Sequence, residues 1–458
     1  MNDGETSMSD DTQTSAAAAP KRQGLSDASP FTEPKPNRIV MRLSGVLSEW
    51  LLLQGVPGLR RVPTVRDLPL MGGYFKVSRV VIAPEDDAII RETTDPKNAF
   101  FIGPNHPEFT TDWLLDKYIS RRYAPEISSW AAASIINGPL KSFWMANNLI
   151  GNNGGERAKQ YSIDCALAGK GTLLHPEGTV RWRSDKIFDL LPGIVDMSIE
   201  AAKKCQAEGS SRKVFILPLV WKMFYDGNVE RALNRELKKL ETAFKLPDNS
   251  SLSTAARYLK LQQNLLVSQM SRFGFDAAGR TDPDPELAKK FFHSLLAELV
   301  TKYGVELEEG DIHRTLHRLY RATKDARVRV DRAKVEELQR LASYSPETFE
   351  KEFFYQEEIG EGLQFIKQIF FTKGYDAVRA SLPKPFGWRT FVIRAADPLN
   401  VTAALEQSGD DPGLARSLLQ ELKSRMDRKL EELQNSAYAP KKLYRLPPSS
   451  DDMNDISL

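Results

Sequence analysis

The chain is predicted to be an α/β protein, with a sheet buried on both faces, helices flanking it, and a large all-helical insertion. Three observations predict this. The runs YFKVSRVVIA (74–83), NAFFIGP (98–104), GKGTLLHPEG (169–178) and KVFILPLVW (213–221) are short, apolar and rich in β-branched or aromatic residues, and helical patterns separate them. Residues 228–385 then read as helix, and after them a strand returns in GWRTFVIRAADPLNV (387–401). A strand that follows a helical block makes the block an insertion into the α/β domain.

In chain order, residues 1–38 are rich in Ser, Thr, Ala, Pro and Asp and poor in large apolar side chains, so a disordered leader is expected. It has no apolar h-region and does not read as a signal peptide. Residues 39–227 form the expected α/β core. Within them SGVLSEWLLLQGVPGLRR (44–61) carries Val46, Leu47, Trp50, Leu51 and Leu53 before a Gly-Val-Pro-Gly stop. It reads either as an interfacial helix or as a first helix docked on the core, and its weak polar face favours the second. A helix through DWLLDKYIS (112–120) follows the second strand.

Inside the insertion, Asp284-Pro285 opens a helix whose Leu287, Phe291, Leu295 and Leu299 form one stripe, and Ser345-Pro346 opens another through Phe349, Phe353 and Phe354. Residues 386–435 supply a closing strand and an amphipathic helix at 411–434. Residues 436–458 read as a tail.

Composition narrows the function. Across 458 residues, 63 Lys and Arg balance 61 Asp and Glu, for a net charge of +2, which argues against a dedicated polyanion binder. No nucleic-acid motif is present, so nucleic acid is not expected as a partner. Two cysteines, Cys165 and Cys205, lack CxxC or metal-ligand spacing and suit a reducing compartment. No uncharged apolar run approaches the roughly 20 residues of a membrane span. The expected location is cytoplasmic, in solution or peripheral on the cytoplasmic face of a membrane.

The chemistry centres on two strand-end loops. GPNHPEFTTDW (103–113) places His106 six positions before Asp112, and HPEGTVRWR (175–183) sets small turn residues beside a carboxylate and guanidinium groups. In a parallel sheet both loops can face one edge, so a histidine held by a carboxylate would stand beside a phosphate clamp. The other reading of His106 and Asp112 is an ordinary helix start with Asp in the first turn. His175, directly before Pro176, reads as a loop-packing histidine. His313 and His317 lie four apart without a carboxylate or cysteine at ligand spacing, and read as a solvated helical face, so no metal is expected.

The blocks N-H-P-E-F-T-T-D (105–112), P-E-G-T (176–179) and I-L-P-L (216–219), in this order, resemble the phospholipid/glycerol acyltransferase family, which includes the 1-acyl-glycerol-3-phosphate acyltransferases. The resemblance covers about 74–227 and implies a glycerolipid acyltransferase-like fold with 387–434 as closing elements. It implies His106 as general base and Asp112 as its orienting partner. Glu177, Gly178 and Thr179 would shape the acceptor-phosphate loop, and Pro218 would lie beside the acceptor. The family's His-x4-Asp is His-x5-Asp here, its Arg after Pro-Glu-Gly-Thr is displaced to Arg181 behind Val180, and Arg157 is the nearest candidate for the arginine of its second block.

The activity implied is transfer of a fatty acyl group from acyl-CoA or acyl-ACP, as co-substrate, to a hydroxyl of a glycerol phosphate or lysophospholipid. No cofactor and no acyl-enzyme would be needed, in keeping with the absence of a G-x-S-x-G elbow. The alternative is a catalytically inactive lipid-binding or membrane-surface scaffold on the same fold. The run 313–334 offers Arg314, Arg318 and Arg321 on one face, read first as a solvated surface and otherwise as a dock for anionic membrane headgroups or for the phosphates of an acyl carrier.

Overall fold

The computed structural model describes residues 31–53, 75–180, 182–276, 285–307, 312–343, 348, 351–371, 385–409, 411–434 and 445–446. Residues 1–30 of the expected leader, the Gly-Val-Pro-Gly stop at 55–58, Ser345-Pro346 with Phe349, and the end of the tail lie outside these residues. Residues 31–37 of the leader are instead ordered against the domain, the Lys35 and Asn37 N–H groups donating to the Met145 and Ala146 carbonyls at 3.1 and 2.9 Å.

A mixed eight-stranded sheet forms the centre. Its order is β1 (Val77–Ile82), β8 (Arg389–Ala395), β6 (Val214–Tyr225), β2 (Ala99–Pro104), β5 (Thr172–Leu173), β3 (Ser128–Ala131) and β4 (Leu149–Gly151), with β9 (Leu399–Asn400) added beside β6. The ladders from β6 through β4 are parallel, and β8 runs antiparallel to β6 and parallel to β1. The returning strand thus closes the sheet between the first strand and the strand that precedes the helical block. It is one strand in the sequence pattern but two in the structure, because Pro398 carries no N–H for the ladder.

Both sheet faces are buried, which is why these strands read as nearly continuous apolar runs. On β6, Val214, Ile216, Val220 and Phe224 join the core under α7 (Gly193–Ala207) and α15 (Leu414–Gln434). The alternate residues Leu217, Leu219, Trp221 and Met223 join the opposite core under α1 (Arg38–Leu53), α2 (Pro84–Thr93) and α3 (Phe109–Tyr123).

Helix α1 docks through small residues. Ser44, Gly45 and Ser48 are buried with Met41 and Leu52, and a Cβ on Gly45 would come within 3.3 Å of Arg121 on α3. Its opposite side leaves Ile39 (70% exposed), Leu43 (64%), Val46 (48%) and Leu47 (52%) outward. The segment is thus docked on the core through one face, as its weak polar face favours, and leaves an apolar face outward.

Among the described residues the inserted helices are α8 (Glu230–Ala243), α9 (Thr254–Arg272), α10 (Pro285–Tyr303), α11 (Ile312–Asp325), α12 (Arg329–Ser343) and α13 (Gln356–Phe370). One core joins α8, α9 and α13 to Tyr225 of β6, and a second joins the end of α9 to α10, α11 and α12, with Leu287, Phe291, Leu295 and Leu299 inside it. One expectation is corrected here. Phe354–Tyr355 is not helix but a short strand, β7, paired antiparallel with β10 (Arg445–Leu446) from the expected tail, and α13 begins only afterwards, where Glu358 caps the Tyr355 N–H at 3.0 Å. Arg314, Arg318 and Arg321 stand at i, i+4 and i+7 of α11, with Arg314 half-buried and acting on Asp196 of α7, and Arg318 and Arg321 exposed. Among the described residues no helix is long and apolar enough to cross a membrane.

Candidate active site

Strands β2 and β5 are adjacent and parallel, with Phe101 opposite Thr172 and Ile102 opposite Leu173, so both candidate loops leave the same edge. The first is anchored across the sheet. The Asn105 side chain accepts from the Trp221 backbone N–H at 2.9 Å and donates to the Trp221 carbonyl at 3.0 Å. A side-chain amide therefore stands in for a strand residue and fixes where the chain departs.

From there His106, Pro107 and an extended Glu108 (φ −141°) delay the helix, and α3 starts at Phe109. That late start turns Asp112 toward the loop. The His106 Nδ1–Asp112 Oδ2 distance is 2.8 Å. Asp112 Oδ2 also accepts from the Glu108 backbone N–H at 2.8 Å, and Oδ1 accepts from the Trp221 indole at 3.0 Å. Burial pushes the Asp112 carboxyl up, but three donors converge on it and favour the carboxylate. With Nδ1–H donated to Asp112, the basic nitrogen of His106 is Nε2. Thr111, which strict His-x4-Asp register would place in this role, is buried and its hydroxyl has no hydrogen-bond partner.

The second loop packs on the first. His175 is not a mere packing residue of its own loop. Its ring stacks on His106 with centroids 4.0 Å apart and planes 18° from parallel. His175 Nδ1 meets the Asn105 carbonyl at 2.9 Å, and Nε2 meets Asp116 Oδ2 at 3.1 Å. Glu177 is buried and clamps both loops, accepting from the His106 N–H at 2.8 Å and the Phe188 N–H at 3.3 Å. Its carboxylate thus shapes the loop from within. Gly178 (φ +71°) closes the turn by donating its N–H to the His175 carbonyl at 3.0 Å, and it stands exposed with Thr179.

Of the remaining candidates, two lie within the described residues. Arg157 sits exposed on α6 (Gly155–Leu167), stacked over Phe31 at 5.6 Å. The contact described for Arg157 is with this aromatic ring, and among the described residues none joins it to His106 or to the second loop. Pro218 is buried within β6 opposite Gly103, below the loops. Arg181 lies outside the described residues.

Sequence reasoning missed two features. One is the pair His175–Asp116. Its signal was available in two carboxylates at i and i+4 of one helix face, Asp112 and Asp116, opposite two strand-end histidines. The other is α13, whose carboxylates support the second loop: Glu361 accepts from the Ser184 N–H at 3.0 Å and the Ser184 hydroxyl at 2.5 Å, and Glu357 accepts from the Tyr225 N–H at 2.7 Å. Between α13 and the sheet lies a cavity of about 20 Å³, room for a water molecule or two, lined by Glu108, Glu357 and Arg389 among others. Glu108 bridges it to the dyad, with its N–H on Asp112 and its carboxylate paired to Arg389 at 2.9 Å.

Fold and site define a mixed α/β protein that carries a hydrogen-bonded His–Asp pair at the carboxyl edge of its parallel strands. No family model matches the chain, and no curated protein is significantly similar to it.

Proposed function

We propose that the protein is an O-acyltransferase that moves a fatty acyl group from a thioester donor, acyl-CoA or acyl-ACP, to a hydroxyl of a glycerol phosphate or lysophospholipid. The observation that carries this reading is the 2.8 Å contact between His106 and Asp112, made across a spacing one residue longer than the resemblance implies. His106 Nε2 takes the proton from the acceptor hydroxyl as its oxygen attacks the thioester carbonyl. The tetrahedral intermediate then collapses with loss of the thiolate, which recovers the proton from His106. Asp112 holds the tautomer and stabilises the imidazolium between these steps.

Direct transfer agrees with the cysteines: Cys165 and Cys205 are buried, and burial raises both thiols above their ordinary range, which disfavours a thiolate nucleophile. The outward apolar stripe of α1 supports work at a membrane surface, where a lysolipid acceptor resides. The test is a panel of lysophospholipids and glycerol phosphates with labelled acyl-CoA or acyl-ACP, wild type against His106→Ala. A labelled ester formed by the wild type and lost in the variant supports the reading. No ester with any pair, or equal product from both proteins, rejects it.

A further inference from the structure

Two histidine rings stacked face to face differ in what surrounds them. His175 meets only acceptors: a backbone carbonyl has no proton to give to Nδ1, and the carboxylate of Asp116 has none to give to Nε2. Both ring nitrogens must then carry hydrogens. His106 has an acceptor at Nδ1 in Asp112. We infer that His175 is a positioning residue held as an imidazolium, and that its charge, stacked on the His106 ring, biases His106 toward the neutral form that can act as a base. The role of His106 as base rests on the function proposed above, whereas the charge state of His175 does not.

The charged surroundings are consistent with this. Asp116 and Asp112 face the ring pair from α3, Glu177 from the second loop, and the Trp221 ring edge from β6, 5.8 Å from His175. Lys117, the neighbouring cation on α3, is directed to the Asn147 carbonyl at 3.5 Å. Burial would push the His175 imidazole down, yet Asp116, the Asn105 carbonyl and Glu177 together hold it above its ordinary value. A proton arriving on His106 makes two stacked cations, which Asp112 offsets only in part. The proton is therefore readily passed on to the leaving thiolate.

The test uses full-length protein labelled with ¹⁵N-histidine, with ring resonances assigned from single His→Gln variants and followed against pH. Wild-type His175 is expected to show two protonated ring nitrogens through neutral pH. His175→Phe keeps a stacked ring without the charge, and should raise the His106 titration midpoint by about one pH unit. The acid limb of kcat/KM for acyl transfer should move the same way. Asp116→Asn should lower the pH at which His175 loses its second proton.

A bare nitrogen on wild-type His175 at neutral pH overturns the inference, as does a His106 midpoint unmoved in His175→Phe. If His175→Phe fails to fold, the wild-type spectrum and Asp116→Asn still decide. If no acceptor is acylated, the proposed function fails while the spectra still decide the charge of His175.

Discussion

Replacing Asp112 with Asn removes one charge and almost no volume, and the surroundings leave the amide no good orientation. Oδ2 of Asp112 serves two donors, His106 Nδ1 and the Glu108 N–H, and Oδ1 serves a third, the Trp221 indole. An Asn oxygen placed toward His106 and Glu108 turns its NH₂ against the indole N–H. The flipped amide confronts the Glu108 N–H and donates to His106 Nδ1, which moves the imidazole proton to Nε2 and removes the base.

Either orientation leaves at least one buried donor unsatisfied, at about 1–3 kcal/mol of stability. The wrong tautomer, or an imidazolium without its counter-charge, should lower turnover by about 10²–10⁴. Thr111→Val is the matched control, since it removes a buried hydroxyl without a partner and should leave both stability and rate within a factor of a few. Denaturant unfolding gives the first quantity and labelled-acyl transfer the second. Turnover by Asp112→Asn at the wild-type rate, or loss of activity in Thr111→Val while Asp112→Asn keeps it, would refute the assignment of the orienting carboxylate.

Burial pushes Glu361 up to about 8 and Glu357 up to about 7, so both bind protons in the folded state that the unfolded chain has released above about 4.5. Their contribution is therefore fully present below pH 4.5 and is lost as pH rises through 7 and 8; Glu361→Gln should flatten the fall in melting temperature between pH 6 and 9, and an unchanged slope would count against it. Gly171 has φ +76° and no room for a Cβ, which would lie 1.9 Å from the Phe100 ring, so Gly171→Ala should cost about 2–5 kcal/mol by urea unfolding, and a loss below 1 kcal/mol would contradict the packing. Leu43→Ser with Leu47→Ser should weaken sedimentation with phospholipid vesicles by about tenfold or more, at little cost in fold stability because both side chains are already exposed; equal binding by wild type and variant would remove the membrane role of α1.

The strands were legible because both faces of the sheet are covered, which leaves β2 apolar throughout and β6 apolar but for Lys222; the stripe Leu287, Phe291, Leu295 and Leu299 was legible because its contacts are set by helical period. The run around Phe353 and Phe354 misled because aromatic residues suit a strand as well as a helix. The choice is made by pairing with Arg445–Leu446, a contact that no local pattern announces. The register of Asp112 was equally hidden. Spacing alone cannot say where α3 begins, and that is set by Asn105 gripping the backbone of Trp221, 116 positions away in the chain. His175 was only partly legible: the proline beside it describes its turn, whereas its contacts come from α3 and from the loop after β2.

The helical insertion is bound into this arrangement. Ser184 is tied to Glu361, Tyr225 to Glu357, and the Trp182 indole donates to Gln368, so α13 holds the continuation of the loop that begins with His175 and Glu177. Lys351 meets Glu358 at 2.5 Å and Asp185 at 3.9 Å, and Asp185 is drawn below its ordinary range by Arg183 against the penalty of burial. Excising residues 228–385 would therefore expose the apolar side of Tyr225 and unclamp Ser184, and Glu177 and the His175 contact with the Asn105 carbonyl would be the remaining hydrogen-bonded ties between the loops. Under the proposed chemistry, where the base must hold hydrogen-bond distance to both its carboxylate and the acceptor, that loosening reaches His106 through the Glu177 contact to its backbone N–H. The insertion thus belongs to the support of the site, and a chain lacking it should lose the His106–His175 stack before it loses the sheet.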